Sequence, residues 1–169
     1  MRKLLILILF FYFLVIFQES FLGHLTLLGV SPNFILISVF LLTFFTKDSN
    51  SRNPKILTGF FGGTILDFFS PILFGIFTLN LTLTSFLITE ISKVFKKSNI
   101  LGFSILFLIY FSFYKAFLIF ENFISIFFLK KNFGFSLNMT SFFSELFLSF
   151  LLIFLVLVLT KKYEVFLQK

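Results

Sequence analysis

Six apolar blocks, each separated from the next by a short polar run, leave this chain few folds to choose from. They cover residues 4–22, 33–46, 56–69, 72–92, 100–120 and 140–160. A helix needs about 20 apolar residues to cross a hydrocarbon core about 30 Å thick. Within that core every backbone N–H and C=O must find its partner inside the protein, which leaves helices or closed barrels. The spacing therefore predicts an all-α fold, a polytopic integral membrane bundle of about six transmembrane helices. Only 12% of the residues are charged and 59% are hydrophobic, against about 25% charged in soluble domains. What remains outside the blocks is too short for a second, soluble domain, and 1–169 reads as one membrane domain. Cysteine is absent, so neither a disulfide framework nor a thiolate metal site is expected.

Two of the blocks are short. Residues 33–46 and 56–69 cover only about 21 Å each at 1.5 Å per residue. Either the bilayer thins around them, or the third and fourth blocks form a re-entrant hairpin about Ser70-Pro71, lining a cavity. Ile124 to Leu129 is apolar but too short to cross, and is expected at the surface after the fifth span. The first block begins like a signal peptide, with Arg2-Lys3 before an apolar core. Gln18-Glu19-Ser20-Phe21 stands where a small-residue cleavage site would follow, so the block reads as a retained anchor.

The basic residues orient the bundle. With six spans and an internal N-terminus, eleven of the 14 Lys and Arg fall on one side, among them Arg2, Lys3, Lys47, Arg52, Lys93 and Lys161. Lys130 and Lys131 lie on the other side and Lys115 within a span. This is the asymmetry of the positive-inside rule, with both termini cytoplasmic. A formal net charge of +7 then answers to topology and to anionic lipids at the cytoplasmic face, and no nucleic acid is needed to explain it.

Against this apolar background the few intramembrane charges stand out. Gly59, Gly63 and Asp67 recur every fourth residue, so on a helix they form one stripe, two notches leading to one acid. Such a stripe is expected to face protein, since an ionisable group in a membrane segment usually meets a partner or a cavity. Pro71 and Gly75 follow and make the arrangement more specific than a Gly-xxx-Gly notch alone. Asp67, Lys115 and Glu145 all fall in the outer halves of their spans. Two arrangements fit: a structural Lys115–Glu145 pair between consecutive antiparallel spans, or an outward polar pocket that includes Asp67. Glu90 and Lys93, three residues apart, read as a surface helix pair. His24, the one histidine, has no acidic or Cys cluster nearby in sequence, so no metal site is expected. No nucleophile elbow or phosphate loop is present, and no catalytic residue is assigned.

Gln18-Glu19-Ser20 at the end of the first span, Gly29-Val30-Ser31-Pro32-Asn33 opening the second, and then Gly59, Gly63, Asp67 and Gly75 resemble the rod shape-determining protein MreD family. The resemblance covers roughly residues 4 to 90. In that family the residue after the proline is typically Asp, where this chain has Asn33. The resemblance implies a multi-pass bacterial plasma-membrane protein without catalytic activity or cofactor. It would be a scaffold that joins an MreC-like single-pass partner and the RodA and transpeptidase elongation complex during lateral peptidoglycan synthesis. The runner-up is a vitamin-binding S component of an energy-coupling factor transporter, a small six-helix protein of similar length, so the fold expected is S-component-like. Those proteins usually carry AxxxA-type notches on the first helix, whereas Leu4 to Phe17 contains no Ala, Gly or Ser. A tight vitamin site also wants converging polar and aromatic groups, and Trp is missing.

Overall fold

The computed structural model describes residues 2–22, 32–45, 53–70, 74–93, 100–129 and 139–167, and among these it has six α-helices and no strand. Helix α1 (Arg2–Phe17) runs on into a π-helical turn over Gln18–Leu22. Then follow α2 (Phe34–Phe45), α3 (Asn53–Phe69), α4 (Ile76–Ile91), α5 (Ile100–Leu129) and α6 (Met139–Leu167). Pro54 occupies the first turn of α3, where its missing N–H costs nothing. At the other end α3 stops at Phe69, one residue before Ser70-Pro71, as the steric demand of proline on its predecessor requires. Pro71 itself, with His24 and Gly29 to Ser31, lies outside the described residues.

The helices follow the apolar blocks with two departures. Residues Ile124 to Leu129 are not a separate surface segment: α5 runs unbroken for 30 residues. No Gly or Pro interrupts the sequence between Gly102 and Leu129, and Glu121-Asn122 is polar without being helix-breaking. Helix α6 likewise continues past Thr160 to Leu167. Among the described residues one helix, α5 over Gly102–Phe123, is long and apolar enough to cross a membrane. Leu4–Ser20, Phe34–Phe45, Ile76–Ile91 and Thr140–Val156 are apolar but shorter.

Helix α2 is the hub. It is apolar on every side, and a helix of that kind has to be buried. Ile35, Leu36, Val39 and Phe40 are all inaccessible. Phe40 sits 5.2 Å, ring centre to ring centre, from each of Phe103, Phe107 and Tyr110 of α5, so the abundant phenylalanine supplies a tilted aromatic core. Helix α1 lays Phe11 and Val15, one turn apart, into this core and leaves Leu5, Leu9 and Phe13 exposed. Helix α6 meets α5 through rings, Phe142 against Phe111 and Phe150 against Phe107.

The tightest pair is α3 with α4. A Cβ on Gly59 would collide with the carbonyl of Leu81 and the hydroxyl of Ser85, and one on Gly63 with the Cα, N and neighbouring carbonyl of Thr78. The glycine stripe is thus the place where two backbones touch. Polar side chains on the buried face of α4 are mostly satisfied within their own helix: Thr84 donates to the carbonyl of Asn80 at 2.8 Å and Thr89 to that of Ser85 at 2.7 Å. Such back-bonding lets hydroxyls lie in an apolar bundle without an exposed partner.

Candidate functional site

Two helices begin at the same end of the bundle, and the side chains singled out from sequence gather around their first turns. Helix α4 starts after Gly75, whose φ of +104° is left-handed and whose missing side chain cannot cap. The cap comes from the preceding helix. Asp67, near the end of α3, accepts the N–H of Phe77 on Oδ1 at 2.9 Å. Its Oδ2 accepts the N–H of Thr78 at 2.9 Å and the Thr78 hydroxyl at 2.5 Å. Both amides belong to the first turn of α4, which has no intrahelical acceptor for them. The partial positive charge there also favours a carboxylate. Asp67 is only 4% exposed, so this is how the chain holds a charge in an apolar setting: two amides and a hydroxyl satisfy it.

Helix α2 starts in a related way. Asn33 is its N-cap, with Oδ1 accepting the N–H of Leu36 at 3.0 Å. Gln18, in the π-helical turn after α1, accepts the N–H of Phe34 at 2.9 Å. Pro32 is buried just ahead of the cap, and Ser20 is exposed. Asn33 Nδ2 then donates to the Tyr114 hydroxyl at 3.4 Å, while Asn80 Nδ2 donates to the Tyr114 carbonyl at 3.1 Å. Tyr114 on α5 thereby ties the two helix starts together. The cap itself needs only the acceptor oxygen of Asn33, and the amide nitrogen adds the link to Tyr114.

Lys115 and Glu145 meet each other, Nζ to Oε2 at 2.5 Å, with their side chains 24% and 14% exposed. Lys115 also lies over the Phe111 ring, 5.7 Å from its centre. Of the three charges considered for one pocket, two are therefore a pair, and the bonds of Asp67 go to α4 instead. The Glu90–Lys93 contact is present at 2.8 Å on the exposed C-terminal turn of α4. Sequence reasoning passed over Tyr114, Asn80, Thr78 and Glu121. Glu121 reaches the same end of α5, within electrostatic range of Asp67, with one carboxylate oxygen buried. It also passed over Gly62, which faces Val39 of α2 and Phe11 of α1, the side away from the Gly59–Gly63 notch. The adjacent Gly62-Gly63 pair was a signal that α3 is approached closely from two directions.

The caps lead to a graded expectation. Asp67→Ala removes three hydrogen bonds from a buried helix start and should destabilise by about 3 kcal/mol, since bonds to a charged group contribute about 1.5–3 kcal/mol each before relaxation. Asp67→Asn keeps one acceptor oxygen and should lose roughly half as much. Asn33→Ala should cost about 1 kcal/mol and Asn33→Asp little. Thermal unfolding in detergent, followed by circular dichroism, orders the four variants. An equal loss in Asp67→Asn and Asp67→Ala would mean that charge, and not capping, is what α4 requires.

No protein-family model, curated protein or solved structure matches the chain.

Proposed function

We propose that this chain is a non-catalytic, multi-pass scaffold of the bacterial plasma membrane, MreD-like in kind. It would maintain rod shape by holding an MreC-like single-pass partner within the elongation complex of RodA and a transpeptidase. In this reading the six helices form an S-component-like bundle with both termini cytoplasmic, and the end bearing Asn33 and Asp67 faces outward. The observation that carries the reading is the convergence of the residues on which the resemblance rests. Gln18, Asn33, Asp67 and Gly75 all serve the first turns of α2 and α4, and Gly59 and Gly63 pack the same pair of helices that Asp67 locks. A motif that builds one end of the bundle is what a scaffold presenting a shaped surface needs. Three of the intramembrane charges, Asp67, Lys115 and Glu145, are each engaged by the protein itself, which supports a structural role for them. Short basic clusters at the inner face would add attraction to anionic lipids.

Depletion in the native host tests this. Loss of rod shape, with recovery of an MreC-like protein on purification of the tagged chain, is the expected outcome. Normal shape together with a vitamin requirement would overturn the scaffold and favour the S component of an energy-coupling factor transporter.

A further inference from the structure

We propose that the α3–α4 face of this protein is a contact surface for a locally thinned bilayer, one whose acyl chains are shorter than those that suit the α5 face. The inference rests on the multi-pass reading and concerns lipid, independently of the scaffold's protein partner.

The exposed apolar side chains on the two faces differ in height. On α3 they run from Leu57 through Phe60 to Phe68 and Phe69, about 18 Å along the axis at 1.5 Å per residue. Those of α4, Leu79, Leu83 and Phe86, fall within that height, and exposed Phe74, ahead of α4, lies beside Phe68 at the outer edge, ring centres 5.1 Å apart. On α5 they run from Ile105 to Phe127, about 33 Å by the same rise. A hydrocarbon core of about 30 Å matches the second face and overshoots the first.

The short face cannot lengthen itself. At its inner edge stand Lys55 and the Glu90–Lys93 pair. Lys55 is only 6% exposed, so its stem is folded into the protein and does not reach along the surface towards an interface, and Lys93 is held by Glu90. At its outer edge lies the α4 N-terminus, with Gly75 left-handed and Asp67 bound to the Phe77 and Thr78 amides. Sliding α3 along α4 is blocked, because Gly59 and Gly63 are already in contact with the opposing backbone. Tilt shortens an apolar height further. What remains is for the lipid to thin, at a cost of fractions of a kcal/mol per Å that shorter chains relieve. The same geometry places Asp67 and its cap near the outer edge of the thinned region, where a carboxylate is less costly than at the centre of a core about 30 Å thick.

The chain has no Trp, so a single introduced Trp reports one face. Leu83→Trp, with Leu79→Trp as a second position, reads the α3–α4 face, and Phe113→Trp, with Phe120→Trp, reads α5; all four sites are exposed. The full chain is reconstituted in vesicles of mixed 14- and 22-carbon monounsaturated phosphatidylcholines, one or the other brominated to quench fluorescence. The short-over-long quenching ratio is expected to be at least about twofold higher at Leu83 and Leu79 than at Phe113 and Phe120. Equal ratios at the two faces overturn the proposal. So does quenching at α5 with none at α3–α4, which would show that another protein covers that face. Absence of quenching at all four positions would instead remove the multi-pass reading on which the proposal stands.

Discussion

Gly63→Leu is expected to cause the largest loss of stability of any single substitution in this chain, about 4 kcal/mol or more, and Gly59→Leu nearly as much. Adding methylenes to a packed core usually costs about 1–3 kcal/mol, because neighbouring side chains shift to accept them. Here the neighbours are backbone. A Cβ at Gly63 would lie 2.5 Å from the Phe77 carbonyl oxygen and 2.7 Å from the Thr78 nitrogen, and no rotamer moves those atoms. Helices α3 and α4 would have to part, pulling Asp67 off the amides it caps and exposing Leu81 and Ile88, both buried in the wild type. Gly62→Ala provides the contrast: its new Cβ would lie 2.6 Å from the Val39 Cγ2, a side-chain atom that can give. The expected order of thermal midpoints is wild type, then Gly62→Ala, then Gly59→Leu and Gly63→Leu. If Gly63→Leu matched Gly62→Ala, the close α3–α4 backbone contact would be wrong.

The second large effect concerns the Lys115–Glu145 pair. Removing either partner alone, by Lys115→Met or Glu145→Gln, strands a charge in a largely dry site and is expected to cost about 3 kcal/mol. The double variant should recover most of that loss, since two neutral side chains of similar size carry no uncompensated charge. The cycle is read by unfolding of the four proteins in one detergent. Additive losses in the double variant would show that the two charges are stabilised separately. Asp67→Asn combined with either single change should add simply, because Asp67 bonds to α4 and not to this pair.

Some of this was legible in the sequence for reasons that act locally. The Gly59–Gly63–Asp67 period placed three residues on one stripe whatever the rest of the fold, and a stripe with two missing side chains and one charge is unsuited to lipid. For Lys115 and Glu145 the sequence left two arrangements open, a mutual pair or a pocket shared with Asp67, because an unpaired charge in an apolar stretch is costly either way; the structure has the pair. Asn33 after Pro32, just before an apolar run, carried the ordinary signal of a helix start.

What the residues alone determined, then, was the helical class, the stop of α3 before Ser70-Pro71, and which positions had to face protein, whereas α5 and α6 ran past the ends of their apolar blocks. The identity of each partner was decided by tertiary structure. Nothing local links Asp67 to the start of α4: its role depends on α3 and α4 packing so closely at Gly59 and Gly63 that the Phe77 and Thr78 amides arrive at its oxygens. Gln18 caps Phe34 only because α1 ends where α2 begins, and Tyr114 joins Asn33 to Asn80 only because α5 crosses both. The central place of α2 was equally hidden, because six apolar blocks of similar composition carry no mark of which one the others will surround. Apolar burial is proportional to area and indifferent to sequence order, so the choice falls to the shapes that fit: small residues where backbones meet, and rings where helices stand apart.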